Sequence, residues 1–135
     1  MCYYTSCNNA NGGKTLMAEK KTVFLTGASG HMGWAGFKEL YKKKDKLNIV
    51  LLLRDSEKNR KKFANYLNDP SVKIVWGDLK KYDDVLKCVE GSDYVLHVGG
   101  MVSPSADYYP TKTIQTNTTA AKNIVDAVKA QPNKA

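Results

Sequence analysis

The sequence predicts an α/β fold in which helices flank a parallel sheet, and three observations support this prediction. Short apolar runs alternate with segments of helical periodicity, so that the order strand–helix repeats four times. The run Leu47–Leu53 is almost entirely aliphatic, which is typical of a strand buried on both faces. The 135 residues, 42% of them hydrophobic, are enough for one domain with its own core. We expect right-handed crossovers and a sheet that is incomplete at its C-terminal side.

The N-terminal segment differs in composition from the rest of the chain. Residues 1–20 are rich in Asn and Gly and lack the apolar core of a signal peptide, so we expect a flexible leader before a domain at residues 21–135. No apolar run approaches the length of a bilayer span, and no membrane partner is expected. Cys2, Cys7 and Cys88 form no C-x-x-C pair and lie at no zinc-ligand spacing from a histidine. Free thiols in a reducing cytoplasm are therefore expected, without a metal site.

The positive charge of the chain is concentrated in one segment. The formal net charge is +8, and between Lys38 and Lys62 ten Lys or Arg residues stand against four acids. Such a run is usually a solvated helix face, and neither an aromatic platform nor a known nucleic-acid module accompanies it. We therefore expect no nucleic-acid partner. A basic rim that steers a phosphate-bearing small molecule explains the segment better.

The first strand–turn–helix unit carries the strongest functional signal. An apolar strand at residues 22–25 runs into Gly27, Gly30 and Gly33, after which the apolar positions take up helical spacing. A turn of this kind points backbone N–H groups at one spot beside the positive end of a helix dipole, as a pyrophosphate requires. Gly27 would make the tight turn, Gly30 would let the backbone approach phosphate, and Gly33 would let the helix pack on the strand. The pattern predicts a Rossmann-type dinucleotide site.

The end of the second strand indicates which dinucleotide is bound. Arg54 and Asp55 follow the aliphatic run roughly twenty residues past the glycines, where the ribose of a dinucleotide arrives. An arginine there offers a planar fork of donors to a 2′-phosphate, whereas an acid accepts hydrogen bonds from both ribose hydroxyls and repels the phosphate. Because Arg54 comes first and further basic residues follow, the sequence favours NADP. Asp55 leaves NAD open, and an ordinary strand-end charge is the alternative for Arg54.

The middle of the chain predicts a third unit of the same kind. Ser56 is the expected N-cap of a helix that runs to about Leu67, with Phe63 and Leu67 as core contacts. A strand at residues 72–76 then leads to Asp78, at the carboxyl end where ligands of open α/β sheets bind. Asp78 would accept a hydrogen bond from an adenine amino group or cap the next helix, and the two roles do not exclude each other.

A fourth strand is predicted at residues 93–98, after a short helix at residues 82–89. It runs into Gly99 and Gly100, and paired glycines let the backbone approach a flat ligand closely, here the nicotinamide riboside end of the cofactor. His97 lies inside this strand. We interpret it as a buried, hydrogen-bonded structural residue, because that is the commoner role of a histidine in a core strand.

The C-terminal part predicts a loop at residues 101–111 and a helix at residues 113–130. The apolar spacing of this helix predicts that one stripe faces the core, comprising Ile114, Asn117, Ala121, Ile124, Val125 and Val128.

Four motifs now stand in a fixed order along residues 21–130: TGASGHMG at 26–33, GDL at 77–79, HVGG at 97–100 and the helix near Asn117. Together they resemble the extended short-chain dehydrogenase/reductases, the NAD-dependent epimerase/dehydratase group. Within that group, Arg54 followed by Lys61 is similar to the NADP-using reductases of the dihydroflavonol reductase kind. The resemblance implies contacts between the cofactor and Gly27, Ser29, Gly30, His31, Met32, Gly33, Arg54, Lys61, Asp78, Leu79, Val98, Gly99, Gly100 and Asn117, with His31 and Met32 acting through their backbones.

The resemblance also implies where the chemistry resides. In this group the tyrosine of a Tyr-x-x-x-Lys helix is the general acid/base, and the lysine lowers its pKa. That helix follows a later strand ending in Ser or Thr, and this chain stops before it, so we assign no catalytic residue. Tyr108 and Lys112 have the spacing, but Pro110 interrupts the turn between them. We interpret the match as coincidence.

Two functions follow from these expectations. The first is the dinucleotide-binding portion of an NADP-dependent oxidoreductase or epimerase that acts on an unidentified small molecule. The second is a non-catalytic nucleotide-binding or sensor module. A sheet that stops at its fourth strand leaves an apolar edge uncovered, so a homo-oligomer formed through that edge is also expected.

Overall fold

The computed structural model describes residues 20–100 and 105–132. These residues contain one four-stranded sheet and the helices that flank it. The strands are β1 (Lys21–Thr26), β2 (Leu47–Leu53), β3 (Val72–Trp76) and β4 (Tyr94–His97). Their order in the sheet is β3-β2-β1-β4, and every neighbouring pair is parallel. Phe24 of β1 is in register with Val50 of β2 and Val95 of β4. The predicted parallel α/β sheet is confirmed.

Helices follow the strands and cover both faces of the sheet. They are α1 (His31–Tyr41), α2 (Glu57–Lys62), a 3₁₀ turn (Ala64–Tyr66), α3 (Tyr82–Val89), α4 (Ser105–Tyr108) and α5 (Pro110–Lys129). None of the helices within the described ranges has the length and apolarity that a bilayer span requires. The predicted leader, with Cys2 and Cys7, lies outside the described residues except for Lys20.

Alternate residues of the strands feed two separate cores, one on each face of the sheet. On one face Phe24, Val50 and Leu52 pack with residues of α3 and α5, including Val85 and Ile124. On the other face the strands pack against α1 and the end of α2, and the members of that cluster are Leu25, Ala28, Phe37, Ile49, Leu51, Leu53, Phe63 and Val72. Because β2 lies inside the sheet and is covered on both faces, it reads as a nearly continuous apolar run, which is why the sequence indicated it so clearly.

Cys88 is a buried packing residue. Cys88 lies in the core between the sheet and α5, with none of its surface exposed, and its thiol is free. Burial raises its pKa to about 12, so the thiol stays protonated and unreactive at neutral pH.

The helix after β2 is shorter than the sequence predicts. Ser56 caps it as expected, since its hydroxyl accepts a hydrogen bond from the Asn59 amide at 3.2 Å. The helix then ends at Lys62, because Phe63 leaves the α conformation, with φ of −102° and ψ of 9°, to place its ring in the core. The chain continues as the 3₁₀ turn, which leaves Leu67 46% exposed. The prediction that Leu67 is a core contact was wrong, whereas Phe63 is fully buried.

The loop predicted before the last helix is largely helical where it is described. Residues 101–104 lie outside the described residues, but α4 and the start of α5 occupy positions 105–108 and 110–111. Pro110 is the first residue of α5, where a missing N–H costs nothing because that donor has no helical partner. Proline therefore starts the helix instead of preventing it.

The buried face of α5 differs from the predicted stripe. The fully packed positions are Ala120, Ile124 and Ala127, whose spacing of four and three residues defines one helix face against α3 and the sheet. Ile114 and Val125 are 66% and 49% exposed, and Ala121 is also exposed, so these three assignments were wrong. The small alanines of this face allow α5 to lie close to α3.

Two isoleucines of α5 test this correction. We expect Ile124→Ala to lower the free energy of unfolding by about 2–5 kcal/mol, because it removes buried methylene groups and leaves a cavity. The same substitution at Ile114 is expected to change it by less than about 0.5 kcal/mol. Urea unfolding followed by circular dichroism measures both. Equal losses at the two positions would mean that Ile114 is packed.

Candidate functional site

An open cleft with a volume of about 580 Å³ lies at the carboxyl ends of the strands. The turns after all four strands contribute to its walls, as expected for an open parallel sheet. Most of the residues implicated by sequence line it: Gly27, Ser29, Gly30, His31, Met32, Gly33, Arg54, Asp78, Leu79, Val98, Gly99 and Gly100. Lys61 and Asn117 are not part of the lining.

The turn between β1 and α1 is shaped by backbone contacts that leave no room for a side chain. Gly27 has a φ of +78°, and a Cβ there would lie 2.7 Å from the amide nitrogen of Gly99. A Cβ on Gly33 would overlap the carbonyl oxygen of Gly27, because the first turn of α1 packs directly against the strand end. The predicted roles of Gly27 in the tight turn and of Gly33 in helix packing agree with this geometry.

The N-terminus of α1 opens into the cleft without a capping side chain. Gly30 is its N-cap, and the first turn contains no acidic residue. The Gly30 amide donates to the Gly27 carbonyl at 3.0 Å, which closes the turn. The amides of the following residues, from His31 to Gly33, belong to the first helical turn, where the helix itself provides no acceptor. This end of α1 therefore presents donors and a partial positive charge to the cleft.

Lys62 ties α2 to the same turn. Its ammonium group donates to the Ser29 carbonyl at 3.0 Å and lies 4.5 Å from the ring centroid of Trp34 on α1. Trp34 in turn meets Phe63 edge-on, with ring centroids 5.3 Å apart. The lysine thus fixes the orientation of the Ser29 peptide and brings a positive charge next to the turn. The sequence placed Lys62 only within a basic run, and no spacing signal distinguished it from its neighbours.

Thr26 connects β1 to the turn after β4, a role that the sequence analysis missed. Its buried hydroxyl accepts hydrogen bonds from the amides of Val98 at 3.0 Å and Gly99 at 2.9 Å. Both lone pairs are then used, so the hydroxyl donates its own proton to Nδ1 of His97, 2.8 Å away. These three hydrogen bonds hold the Val98–Gly99 backbone against the Gly27 turn.

His97 is hydrogen-bonded as predicted but not buried. Its side chain lies at the exposed end of β4, so the expectation of a buried histidine was wrong. Because Nδ1 accepts from Thr26, the neutral ring carries its proton on Nε2. Partial removal of the ring from water lowers the pKa of His97, which favours this neutral form.

A second groove, of about 510 Å³, adjoins the cleft where β2 ends. It is lined by Ser29, Gly30, Arg54, Asp55, Ser56, Lys58 and Asn59. Arg54 borders both the cleft and this groove, and no acidic side chain of the described residues pairs with it. Lys61 lies elsewhere, on the solvent side of α2, where it pairs with Glu57 at 2.8 Å.

Asp55 is engaged by a neighbouring arginine. Arg60 donates from Nε to one carboxylate oxygen at 2.6 Å and from Nη2 to the other at 2.8 Å. The hydrogen bonds from Arg60 hold the pKa of Asp55 below its usual range. The guanidinium of Arg60 also lies 4.6 Å from the ring centroid of Trp76, at the end of β3.

Asp78 borders the cleft but does not cap the following helix. Its carboxylate accepts from the Lys80 amide at 2.9 Å, while Lys81 is the N-cap of α3 and no side chain caps that end. The helix-cap role was therefore wrong, and contact with an adenine amino group stays a prediction. Asp84 of α3 fixes this segment instead, because its carboxylate accepts from the Asp78 amide at 3.0 Å.

Helix α5 adds cleft residues that the sequence analysis did not identify. Lys112, Thr116 and Ala120 line the cleft from this helix. Asn117 stands just outside, with its Oδ1 3.2 Å from the position of a Cβ on Gly100. Tyr108 ends α4 and Lys112 belongs to α5, so the Tyr-x-x-x-Lys match does not form one helical turn.

Comparison with known proteins shows what this chain is similar to. The family model described as NAD(P)H-binding matches residues 27–134. UDP-glucose 4-epimerase from Rickettsia bellii (strain RML369-C) is 32% identical over 111 residues, which cover 79% of this chain and 32% of that protein. UDP-glucose 4-epimerase from Rickettsia felis shows the same identity over the same length. The chain thus spans about a third of the length of the curated relatives that it matches.

Solved structures share the fold. Pen from Bacillus thuringiensis has a TM-score of 0.73 at 24% identity, over 84% of this chain and 35% of that one. The Bordetella bronchiseptica enzyme WbmH, solved in complex with NAD+, has a TM-score of 0.62 at 24% identity, over 82% of this chain and 36% of that one.

Two glycines of α1 provide a matched test of the turn. We expect Gly33→Ala to lower the free energy of unfolding by about 1–3 kcal/mol, because its Cβ would overlap the Gly27 carbonyl and force the helix away from the strand. Gly36 has no atom within 4 Å of its Cβ position, so Gly36→Ala is expected to raise stability by about 0.5–1 kcal/mol through helix propensity. Urea unfolding of the two variants checks this. Stabilisation by both substitutions would contradict the close packing at Gly33.

Proposed function

The chain belongs to the NAD(P)H-binding family, and from this premise we propose that it is the dinucleotide-binding portion of an NADP-dependent oxidoreductase or epimerase of the extended short-chain dehydrogenase type. The observation that carries the preference for NADP is the placement of Arg54 between the cleft and the second groove, beside an Asp55 already engaged by Arg60. Bound NADP would supply a hydride or a hydride acceptor at its nicotinamide ring.

The β1–α1 turn is the proposed site of the diphosphate. Three observations support this proposal. The N-terminus of α1 is uncapped, the backbone at Gly27 leaves no space for a side chain, and Lys62 holds the Ser29 peptide through its carbonyl. In this role the amides of His31 and Met32 donate to phosphate oxygens. Ser29, Gly30 and Gly33 complete the same turn.

The adenosine end is assigned to the cleft wall and the second groove. Arg54 and Lys58 both border the groove and would hold the 2′-phosphate, whereas Lys61 lies outside its lining and pairs with Glu57, so a contact of Lys61 with the cofactor stays a prediction. Asp78 and Leu79 line the cleft next to this end and would contact the adenine. The net positive charge of the groove favours a ligand with an additional phosphate.

The nicotinamide end is assigned to the turn after β4. Val98, Gly99 and Gly100 line the cleft there, and Thr26 holds their backbone in place. Asn117 stands against Gly100 and would approach the cofactor from α5. These residues bind and orient the cofactor, and none of them is proposed to transfer a proton. The substrate is an unidentified small molecule, and the catalytic pair is expected outside the described residues.

The edge of the sheet at β4 is the proposed surface of self-association. Within residues 20–100 and 105–132, β4 pairs only with β1, and Leu96 is 44% exposed. An uncovered strand with unpaired backbone groups and apolar side chains favours pairing with a second copy. We also propose a reducing, cytoplasmic compartment, on the basis of the cysteine spacing in the sequence.

Removal of Arg54 tests the cofactor preference. We expect Arg54→Ala to weaken NADPH binding by about 10- to 100-fold, the loss of hydrogen bonds to a charged group, and to change NADH binding by less than about twofold. Isothermal titration calorimetry with each nucleotide measures this. Lys46→Ala, at the opposite end of β2, removes the same charge far from the cleft and serves as the control. Equal weakening of NADPH and NADH by Arg54→Ala would refute the 2′-phosphate contact.

A charge on β4 tests the proposed self-association. We expect Leu96→Lys to shift the chain towards monomer, because a charge on an edge strand opposes pairing. Sedimentation velocity over a range of concentrations measures this. Ile114→Lys places the same charge on an exposed position of α5 and is expected to leave association unchanged. A wild-type chain that stays monomeric at all concentrations would rule out the edge as an interface.

A further inference from the structure

Two neighbouring residues of opposite charge line the second groove where the ribose of a dinucleotide would enter. Arg54 and Asp55 are neighbours in sequence, and both line this groove. An uncompensated carboxylate in that position would repel a 2′-phosphate and would accept hydrogen bonds from the two ribose hydroxyls of NAD. The preference of the groove therefore depends on the state of Asp55 as well as on the presence of Arg54.

Arg60 determines the orientation and charge compensation of the Asp55 carboxylate through geometry that a lysine does not reproduce. Both carboxylate oxygens of Asp55 accept from Arg60, at 2.6 and 2.8 Å, so one lone pair of each oxygen is engaged and the negative charge of the carboxylate is compensated. The side chains of Arg60 and Asp55 are both about half exposed. The guanidinium of Arg60 also lies 4.6 Å from the ring centroid of Trp76, and this contact restricts its motion. A bidentate pair held against an aromatic ring keeps its geometry better than a free surface ion pair.

We propose that Arg60 is a specificity-determining residue that acts through Asp55: it neutralises and orients the carboxylate so that the groove accepts a 2′-phosphate. The inference rests on the proposed function, since it concerns the preference for NADP over NAD at the same site. Arg60 does not contact the cofactor in this arrangement. Arg54 and Lys58 do so, while Arg60 removes the opposing charge next to them.

The inference predicts that the preference for a 2′-phosphate depends on Arg60 only while Asp55 is present. The probes are 2′-phospho-ADP-ribose and ADP-ribose, which differ only in that phosphate, and their dissociation constants are measured by isothermal titration calorimetry. We expect Arg60→Met, which retains an apolar side chain over Trp76, to lower the preference about fivefold, the size of an interaction between partly exposed charges. The double variant Asp55→Asn with Arg60→Met is expected to restore it.

Two further variants separate this role from a structural one. Lys122→Met breaks an exposed ion pair with Asp126 on α5, far from the groove, and is expected to leave the preference unchanged. Asp55→Asn alone is expected to keep or raise the preference, and it remains informative if Arg60→Met fails to fold.

The outcomes distinguish the inference from the function on which it rests. Equal weakening of both ligands by Arg60→Met, or a double variant that keeps the lowered preference, would overturn the role of Arg60 and leave the NADP assignment intact. A lowered preference in Asp55→Asn would overturn it as well. A wild-type chain that binds both ligands equally would instead contradict the preference for NADP itself.

Discussion

The backbone contact between Gly27 and Gly99 is the constraint on which the site depends. β1 and β4 are adjacent and parallel, so the turns that leave them must pass each other at the same edge of the sheet. There is no space for a side chain between them, and Thr26 uses its hydroxyl to hold the second turn against the first. The result is a floor made of backbone alone, over which the uncapped N-terminus of α1 opens. A flat or phosphorylated ligand can approach such a floor closely.

The sequence predicted the structure correctly where a single local pattern determines the conformation of a segment. The bounds of β2 agree with the prediction because a nearly continuous aliphatic run between polar segments marks a buried strand, and those of β3 agree because β-favouring residues dominate a short run bounded by turn residues. The glycine turn was also predictable from sequence, because only glycine fits where a Cβ would overlap the neighbouring backbone. On α5, the sequence assigned both Ile114 and Ile124 to the predicted apolar stripe, and only the packing of the helix against α3 and the sheet decides that Ile124 is buried and Ile114 is not. Thr26 was missed because its three partners are more than 70 residues away in sequence.

In the basic segment, the sequence likewise did not predict which contact each charged side chain makes. Its residues are similar in sequence, yet the fold gives them different tasks. Lys61 forms a solvent-exposed pair along its own helix, Lys62 reaches the Ser29 carbonyl, and Arg60 binds Asp55 against Trp76. Composition predicted a rim that attracts anions, but which cation faces the ligand depends on where a six-residue helix points each side chain.

Helix α2 is too short to be stable by itself, and the contacts that hold it are the contacts that shape the site. Asn59 donates to the Arg54 carbonyl at 2.8 Å, which positions the end of β2, while Lys62 fixes the turn before α1 and Phe63 anchors the helix in the core. The β1–α1 turn and the end of β2 beside Arg54 are therefore both positioned by the same short helix.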